Sequence, residues 1–155
     1  MNLANLNLVL RTRAVADTGT GGLFNTTTPL INAWNWSDVP EGVTFPYVVQ
    51  SVAALVSVNA FAKDVVACRV RFGIWHERSS VTDATPMTTV SNIEARIYGN
   101  WSSASPGTAP TYGFHRFAPS FTGWTGTQME YSTTFDESDA DLIHIISEYR
   151  FWISA

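Results

Sequence analysis

Charged side chains are scarce in this sequence, and lysine is almost absent. Only 14% of the 155 residues are charged, whereas globular domains average about 25%. The chain holds one lysine against eight arginines and has a net charge of −4. Nucleic-acid binding requires a basic patch that neutralises phosphates, so this balance argues against general nucleic-acid binding. Arginine without lysine is typical of protein interfaces, because a planar guanidinium pairs well when partly desolvated.

Cysteines and long apolar runs are also missing. Cys68 is the single cysteine, so no internal disulfide can form, and we expect Cys68 to fill space in the core. No stretch reaches the about 18 uninterrupted apolar residues of a membrane span, and the first 17 residues do not resemble a signal peptide. We therefore expect no membrane partner and a protein that is made and kept in a cytoplasm.

Aromatic residues, in contrast, are abundant. The chain contains six Trp, five Tyr and nine Phe, and aromatic enrichment combined with few charges is typical of interface cores. We interpret part of the exterior as covered by other protein chains; the alternative is a monomer with a large core. A chain of this length is expected to form one domain, spanning residues 1–155.

Two segments, residues 68–75 and 142–154, alternate strictly between apolar and polar side chains. Successive side chains of a strand point to opposite faces, so each segment is predicted to be a half-buried strand with a charged outer face. Residues 129–135 alternate in the same way and are predicted to form a hairpin with the last strand. The outer faces of the two main strands carry Arg69 and Arg71, and His144, Glu148 and Arg150.

Helical spacing of apolar residues marks two further segments. The first begins at Leu3 and covers about four turns, and the second covers residues 87–98, with Thr85 or Thr88 as its cap. Strands at 48–58 and 64–75 are expected to pair as a hairpin between the helices. This order predicts an α+β fold: an antiparallel β-sheet of about four to five strands, with two main helices packed on one face.

No arrangement of residues indicates catalysis. His76, His115 and His144 lie far apart and lack the short fixed spacing of metal ligands. The glycines at positions 19, 21 and 22 follow a predicted helix instead of a strand, which excludes a phosphate-binding loop. No Gly-x-Ser-x-Gly nucleophile motif occurs. We expect no enzyme activity, no cofactor and no metal.

Four acidic residues cluster in the turn before the last strand: Asp136, Glu137, Asp139 and Asp141. Three interpretations stay open. The cluster is a solvated turn, or a calcium site that lacks the glycine and the final glutamate of an EF-hand loop. In the third interpretation it lies on the rim or lumen of a ring, where its negative charge repels passing DNA.

Residues 101–124 combine aromatic side chains with many Gly, Ser, Thr and Pro residues. Trp101, Tyr112 and Trp124 are candidates for contact with a neighbouring subunit, because large rigid rings bury much area at little entropic cost. The alternatives are a sugar-binding platform and a loop that covers one face of the sheet.

Three short pieces of sequence, considered with the two predicted helices, resemble a known group of proteins. They are Phe-Pro-Tyr-Val-Val at 45–49, Val-Arg-Phe-Gly-Ile-Trp at 70–75, and a close with Leu-Ile-His at 142–144 and Arg-Phe-Trp at 150–152. The pattern resembles the small tail-completion proteins of long-tailed bacteriophages, which include tail terminators and head-to-tail joining proteins. The segment 101–124 departs from the usual pattern, since it is longer and more aromatic.

The resemblance implies a structural virion protein of the tail or neck, assembled in the host cytoplasm. Such proteins form a ring, usually a hexamer, that caps the tail tube, ends tube polymerisation and offers a surface to the head connector. A head-to-tail interface gives a ring when its rotation closes. The expected partners are further copies of the chain, the tail tube protein and the head connector or stopper protein, with DNA only passing through the lumen.

Site residues follow from the resemblance and from the strand faces. The rim or lumen candidates are the four acidic residues of the turn. For Arg69, Arg71, Glu148 and Arg150, the alternative to a subunit interface is cross-strand pairing within one subunit. The alternative functions are another head–tail connector component, such as a stopper or adaptor, and a non-catalytic carbohydrate-binding module. The subunit-interface candidates are Arg69, Arg71, Glu148, Arg150, Trp101 and Trp124.

Overall fold

The computed structural model describes residues 3–36, 39, 41–53, 57–60, 63–78, 84–99, 113–114, 117–121, 123–126 and 129–154. Within these residues the chain forms two helices and one eight-stranded sheet. The elements in chain order are α1 (Leu3–Val15), β1 (Ala33–Trp36), β2 (Tyr47–Ala53), β3 (Ser57–Ala60), β4 (Lys63–Glu77), α2 (Ala84–Tyr98), β5 (Ser120–Phe121), β6 (Trp124–Gly126), β7 (Glu130–Asp136) and β8 (Leu142–Ser154).

The centre of the sheet is the antiparallel pair β4 and β8. Their register runs from Val65 opposite Ser154 to Glu77 opposite Leu142, along the whole of β8. The predicted alternation is confirmed, because the side chains expected to point inward are buried: Cys68, Val70, Phe72 and Ile74 on β4, and Ile143, Ile145, Tyr149, Phe151 and Ile153 on β8. Cys68 is one of them, and burial raises the pKa of its thiol to about 11.

The other strands extend from this pair on both sides. β2 and β3 pair with β4, and β6 and β7 pair with β8, all antiparallel. The two predicted hairpins are therefore confirmed. The predicted alternation of residues 129–135 is wrong, because a bulge between Tyr131 and Thr133 shifts the register. Tyr131 lies opposite the inward Tyr149, whereas Phe135 lies opposite Ile146 on the outer face.

The α+β class holds, but the predicted antiparallel sheet of four to five strands is wrong. β1 pairs parallel with β2, from Ala33 opposite Tyr47 to Trp36 opposite Gln50, so the sheet is mixed. The strand order β1-β2-β4-β8-β6-β5, with β3 on β4 and β7 on β8, also contains more strands than predicted. The short strands β1, β3, β5 and β6 have only two to four residues each.

The prediction that both helices pack on one face is also wrong, because the sheet is strongly curled. α1 contacts β1 and β2, and it also contacts β5 at the opposite end of the strand order. The sheet therefore curls around α1. α2 lies elsewhere, against β4 and β8.

Helix α2 begins earlier than its predicted cap. It starts at Ala84, and the Oγ1 atoms of Thr88 and Thr89 donate hydrogen bonds to main-chain carbonyls one turn earlier, inside the helix. Its end agrees with the sequence, since Gly99 takes a φ of 89°, a left-handed conformation that glycine adopts without strain. The buried stripe of α2 is Pro86, Val90, Ile93 and Ile97.

An ion pair links the end of α1 to α2. Asp17 accepts hydrogen bonds from Nε of Arg96 at 2.7 Å and from the main-chain nitrogen of Leu23 at 3.1 Å. The side chains of Asp17 and Arg96 are only 6% and 15% exposed. The pair therefore holds the first loop and both helices in one arrangement.

We expect Asp17→Ala to lower the free energy of unfolding by about 3 kcal/mol, because removing one partner of a buried pair leaves an uncompensated charge. Urea denaturation of the purified protein measures the change. Glu41→Ala, at an exposed position, is the control and should change stability by less than about 0.5 kcal/mol. A loss at Asp17 no larger than that of the control would show that the pair does not support the fold.

Candidate interaction surface on the outer face of the sheet

The predicted charged residues meet on the outer face of the β4–β8 pair. Nε of Arg71 donates a hydrogen bond to Oε2 of Glu148 at 2.8 Å, and Nε of Arg69 lies 3.9 Å from Oε1. The Glu148 side chain is only 5% exposed, beneath two half-exposed arginines. The Arg71 guanidinium also lies over the ring of Phe135, 5.9 Å from its centroid. Arg69, Arg71 and Glu148 thus form cross-strand pairs within one chain, which is the alternative that the sequence left open. Their contact with a neighbouring subunit stays a prediction.

Arg150 differs from the other charged candidates. It is exposed, and the register places it between Arg69 on β4 and Glu130 on β7. In the part of the chain that the structure describes, Arg150 forms no ion pair. Two arginines directly opposite each other repel, so an acidic group on another molecule would find a favourable position here.

A row of aromatic rings crosses the same outer face. Tyr47, Trp75 and His144 lie side by side in register. The Trp75 and His144 rings stack with centroids 3.6 Å apart, and the Tyr47 ring follows at 6.2 Å from Trp75. Gly73 leaves room for this stack, because a Cβ there would approach Nε2 of His144 to 2.8 Å.

A groove of about 350 Å³ runs along these rings. Apolar and aromatic side chains from β2, β4 and β8 form most of its wall, and Arg71 contributes a charge. A shallow groove with such a wall fits a side chain of another protein better than it fits a reaction site. The groove is lined by Val39, Tyr47, Val49, Ser51, Arg71, Gly73, Trp75, His144 and Ile146.

The acidic turn between β7 and β8 uses its carboxylates to order its own backbone. Oδ1 of Asp136 accepts a hydrogen bond from the main-chain nitrogen of Ser138 at 2.9 Å. Oδ1 of Asp139 accepts two, from the nitrogens of Asp141 and Leu142, each at 2.8 Å. The side chain and the main-chain nitrogen of Ser138 hold the pKa of Asp136 below the usual value, and the two main-chain nitrogens do the same for Asp139. Among the described residues no group of three or more His, Cys, Asp or Glu side chains is arranged to hold a metal.

Of the remaining predicted site residues, the structure describes Trp124 and His76. Trp124 on β6 is half-buried and packs against the core. His76 is half-buried, and its Nδ1 lies 2.8 Å from the carbonyl oxygen of Glu77. Trp101, Tyr112 and His115 lie outside the described residues. The interface role predicted for Trp101 therefore stays a prediction.

Polar residues that the sequence analysis missed occupy inner positions. Gln50 on β2 is fully buried; it accepts a hydrogen bond from Nε1 of Trp34 at 3.0 Å and donates one to Oδ1 of Asn7 at 2.6 Å. Gln50 therefore ties β1, β2 and α1 together. The sequence contained one signal for this position: Gln50 lies two residues after the inward Val48, so its side chain points to the same face. Glu94 on α2 is a second missed polar residue, with a partly buried side chain.

No model of a known protein family matches the chain, and a search of curated proteins finds no matching sequence. Neither helix of the described part is long and apolar enough to cross a bilayer.

We expect the outer face to titrate through His144. Burial lowers the pKa of its imidazole, and this effect outweighs the opposing influence of Glu137 and Asp136. A group with a lowered pKa in the folded state contributes stability above its unfolded pKa, about 6.5, and that stability is lost as the pH falls. Unfolding measured between pH 7 and 5 should therefore show falling stability, with a slope of at most about 1.4 kcal/mol per pH unit.

His144→Phe provides the comparison, because phenylalanine keeps a ring beside Trp75 and does not titrate. Its stability should fall less steeply over the same range. The aspartates of the turn titrate at lower pH and do not interfere, because their pKa values lie below the usual value. Equal slopes for the two proteins would contradict the assignment to His144.

Proposed function

We propose that the chain is a structural virion protein that forms a ring, caps a phage tail tube, ends tube polymerisation and joins the tail to the head connector. One observation carries the proposal. The three segments that support the resemblance, at 45–49, 70–75 and 142–152, lie within or next to β2, β4 and β8, which are direct neighbours in the sheet. The resemblance therefore concerns one contiguous part of the sheet instead of scattered matches.

The outer face has the composition of a protein contact. Phe135 and Trp152 point to this face and are 40% and 42% exposed. Arg150 points to the same face, two residues before Trp152 on β8, and forms no ion pair in the described part of the chain. Large exposed rings beside an arginine are typical of interface centres. We assign the subunit contact to this area, with Arg150 as its charged residue.

The roles of the other candidates differ. Arg69, Arg71 and Glu148 pair within the chain, so their contribution to a ring is to keep the outer face rigid. The acidic turn with Asp136, Glu137, Asp139 and Asp141 projects from the end of the β7–β8 hairpin, and we propose that it faces the rim or lumen. Negative charge there keeps DNA passing through the ring from binding to it.

Native mass spectrometry of the full chain, combined with electron microscopy of the same sample, tests the proposal. We expect a discrete multimer, a hexamer for a tail terminator, with a central hole. Addition of isolated tail tubes should place that ring at the tube end. A chain that stays monomeric even with tail tubes present contradicts the proposal. Binding to a stopper ring without any binding to tubes would favour the stopper or adaptor alternative, and glycan binding by the monomer would favour the carbohydrate module.

We expect Arg150→Glu to weaken subunit association about tenfold or more, because a like charge placed in an interface costs several kcal/mol. The free energy of unfolding of the subunit should change by less than about 0.5 kcal/mol, since Arg150 is exposed. Arg11→Glu, at an exposed position on α1, makes the same change of charge and should leave association intact. Rings of equal stability in both variants would remove Arg150 from the interface.

A further inference from the structure

A second pocket lies between α2 and the β7–β8 pair, on the inner side of the sheet and apart from the outer-face residues assigned to the ring. It has a volume of about 360 Å³. Its walls are three tyrosines from three different elements, one glutamate and two small residues of α2. The lining residues are Ser91, Glu94, Ala95, Tyr98, Tyr131 and Tyr149.

The three tyrosine rings stand around the pocket as walls. The Tyr131 ring is nearly perpendicular to both others, at 88° to Tyr98 and 79° to Tyr149, with centroids 5.8 and 6.1 Å away. The Tyr98 and Tyr149 rings are 6.4 Å apart and inclined by 32°. Ring faces carry negative charge density, so several rings around one space attract a cation.

Glu94 supplies a formal negative charge to this space. Its Oε1 atom accepts hydrogen bonds from the hydroxyls of Thr134 at 2.8 Å and Ser147 at 3.0 Å, which fix the orientation of the carboxylate. The residue is half-buried, and in the described ranges no cationic side chain pairs with it. A partly buried carboxylate that has no paired cation is a favourable place for a cation to bind.

The hydroxyl of Tyr149 is the third observation. The Tyr149 side chain is fully buried, and its hydroxyl oxygen has no hydrogen-bond partner among the described residues. Burial and the nearby charge of Glu94 raise the pKa of this hydroxyl, so it stays neutral at physiological pH. A buried polar atom without a partner is rare in folded proteins. Its oxygen is suited to accept a hydrogen bond from a ligand that carries N–H groups.

We propose that this pocket binds an organic cation with N–H donors, a guanidinium or a primary ammonium group. The cation lies against the tyrosine rings, Glu94 neutralises its charge, and the Tyr149 hydroxyl accepts one of its N–H groups. Such a group occurs on small free amines and guanidines, and also at the end of an arginine or lysine side chain of a protein. The proposal does not depend on ring formation.

Titration of the purified full chain with methylguanidinium, followed by calorimetry and by the methyl proton resonance, tests the proposal. Methylurea is the neutral ligand of the same shape. We expect methylguanidinium to bind about tenfold more tightly than methylurea, the ratio that one good cation–π contact supplies. Its methyl resonance should move upfield, because the tyrosine rings surround it. Equal binding of the two ligands overturns the proposal.

Two variants locate the binding. Glu94→Gln keeps the shape and the acceptor oxygen but removes the charge, and we expect it to weaken methylguanidinium binding about fivefold or more. Glu130→Gln removes a carboxylate from an exposed position one residue from Tyr131 and should leave binding unchanged. An equal effect of both variants would show a general charge effect and would overturn the assignment to this pocket.

A capped pentapeptide with a central arginine distinguishes the two sources of the cation. Its control is the same peptide with citrulline, the neutral counterpart of arginine. Preferential binding of the arginine peptide assigns the pocket to a protein side chain, whereas binding of methylguanidinium alone assigns it to a small free cation. A chain that binds methylguanidinium but stays monomeric even with tail tubes present would support this site while contradicting the ring, and a ring that does not bind it would do the reverse.

Discussion

The pairing of β4 with β8 is the constraint on which the rest of the structure depends. Every other strand of the described sheet joins one of these two directly or through a single neighbour. A slip of one residue in the pairing would turn Arg71 inward and Phe72 outward. The core would then lose a large apolar side chain and gain a charge. The close approach of His144 to Gly73 adds a second condition on the register, because only a glycine leaves space for the imidazole.

The outer face shows how a charge can be buried on the side of a sheet away from the core. Glu148 lies at the centre of the sheet, where β4 and β7 flank it on both sides. Its carboxylate loses most of its hydration there, and Arg71 with Arg69 compensates for that loss within the same chain. Breaking such a pair costs more than the pair contributes, because the remaining charge is left alone. Arg69, Arg71 and Glu148 therefore have a role within the fold, whereas Arg150 forms no ion pair in the described part of the chain.

Strong local periodicity made part of this fold predictable. The alternation in residues 68–75 and 142–154 identified β4 and β8, and the apolar spacing identified α1 and α2, because each of these elements is long and has one buried side. The strand β1 has only four residues and pairs in parallel with a segment that follows a loop, so no local pattern reveals it. The bulge after Tyr131 could not be predicted either, since one extra residue reverses the faces of everything before it.

The candidate sites could also be predicted only in part. Alternation placed Arg71 and Glu148 on the outer face, but only the register shows that they lie opposite each other and therefore pair within one chain. Glu94 follows Ile93 directly, at the edge of the apolar stripe of α2, where spacing alone does not decide whether a side chain faces core or solvent. Its hydroxyl partners Thr134 and Ser147 come from the distant strands β7 and β8. Its role was therefore invisible before the fold was known.

Successive side chains of β8 point to opposite faces of the sheet, and this alternation separates the two proposed surfaces. Glu148 and Arg150 point outward, and Tyr149 between them points inward to the pocket beside α2. The bulge in β7 extends this separation to the next strand, because it turns Tyr131 toward the pocket and leaves Phe135 on the outer face. Substitutions on one face thus change side chains that do not contact the other face. The same backbone can present an interface to a neighbouring subunit and a cation pocket to a second ligand, and each can be altered while the register that supports both is kept.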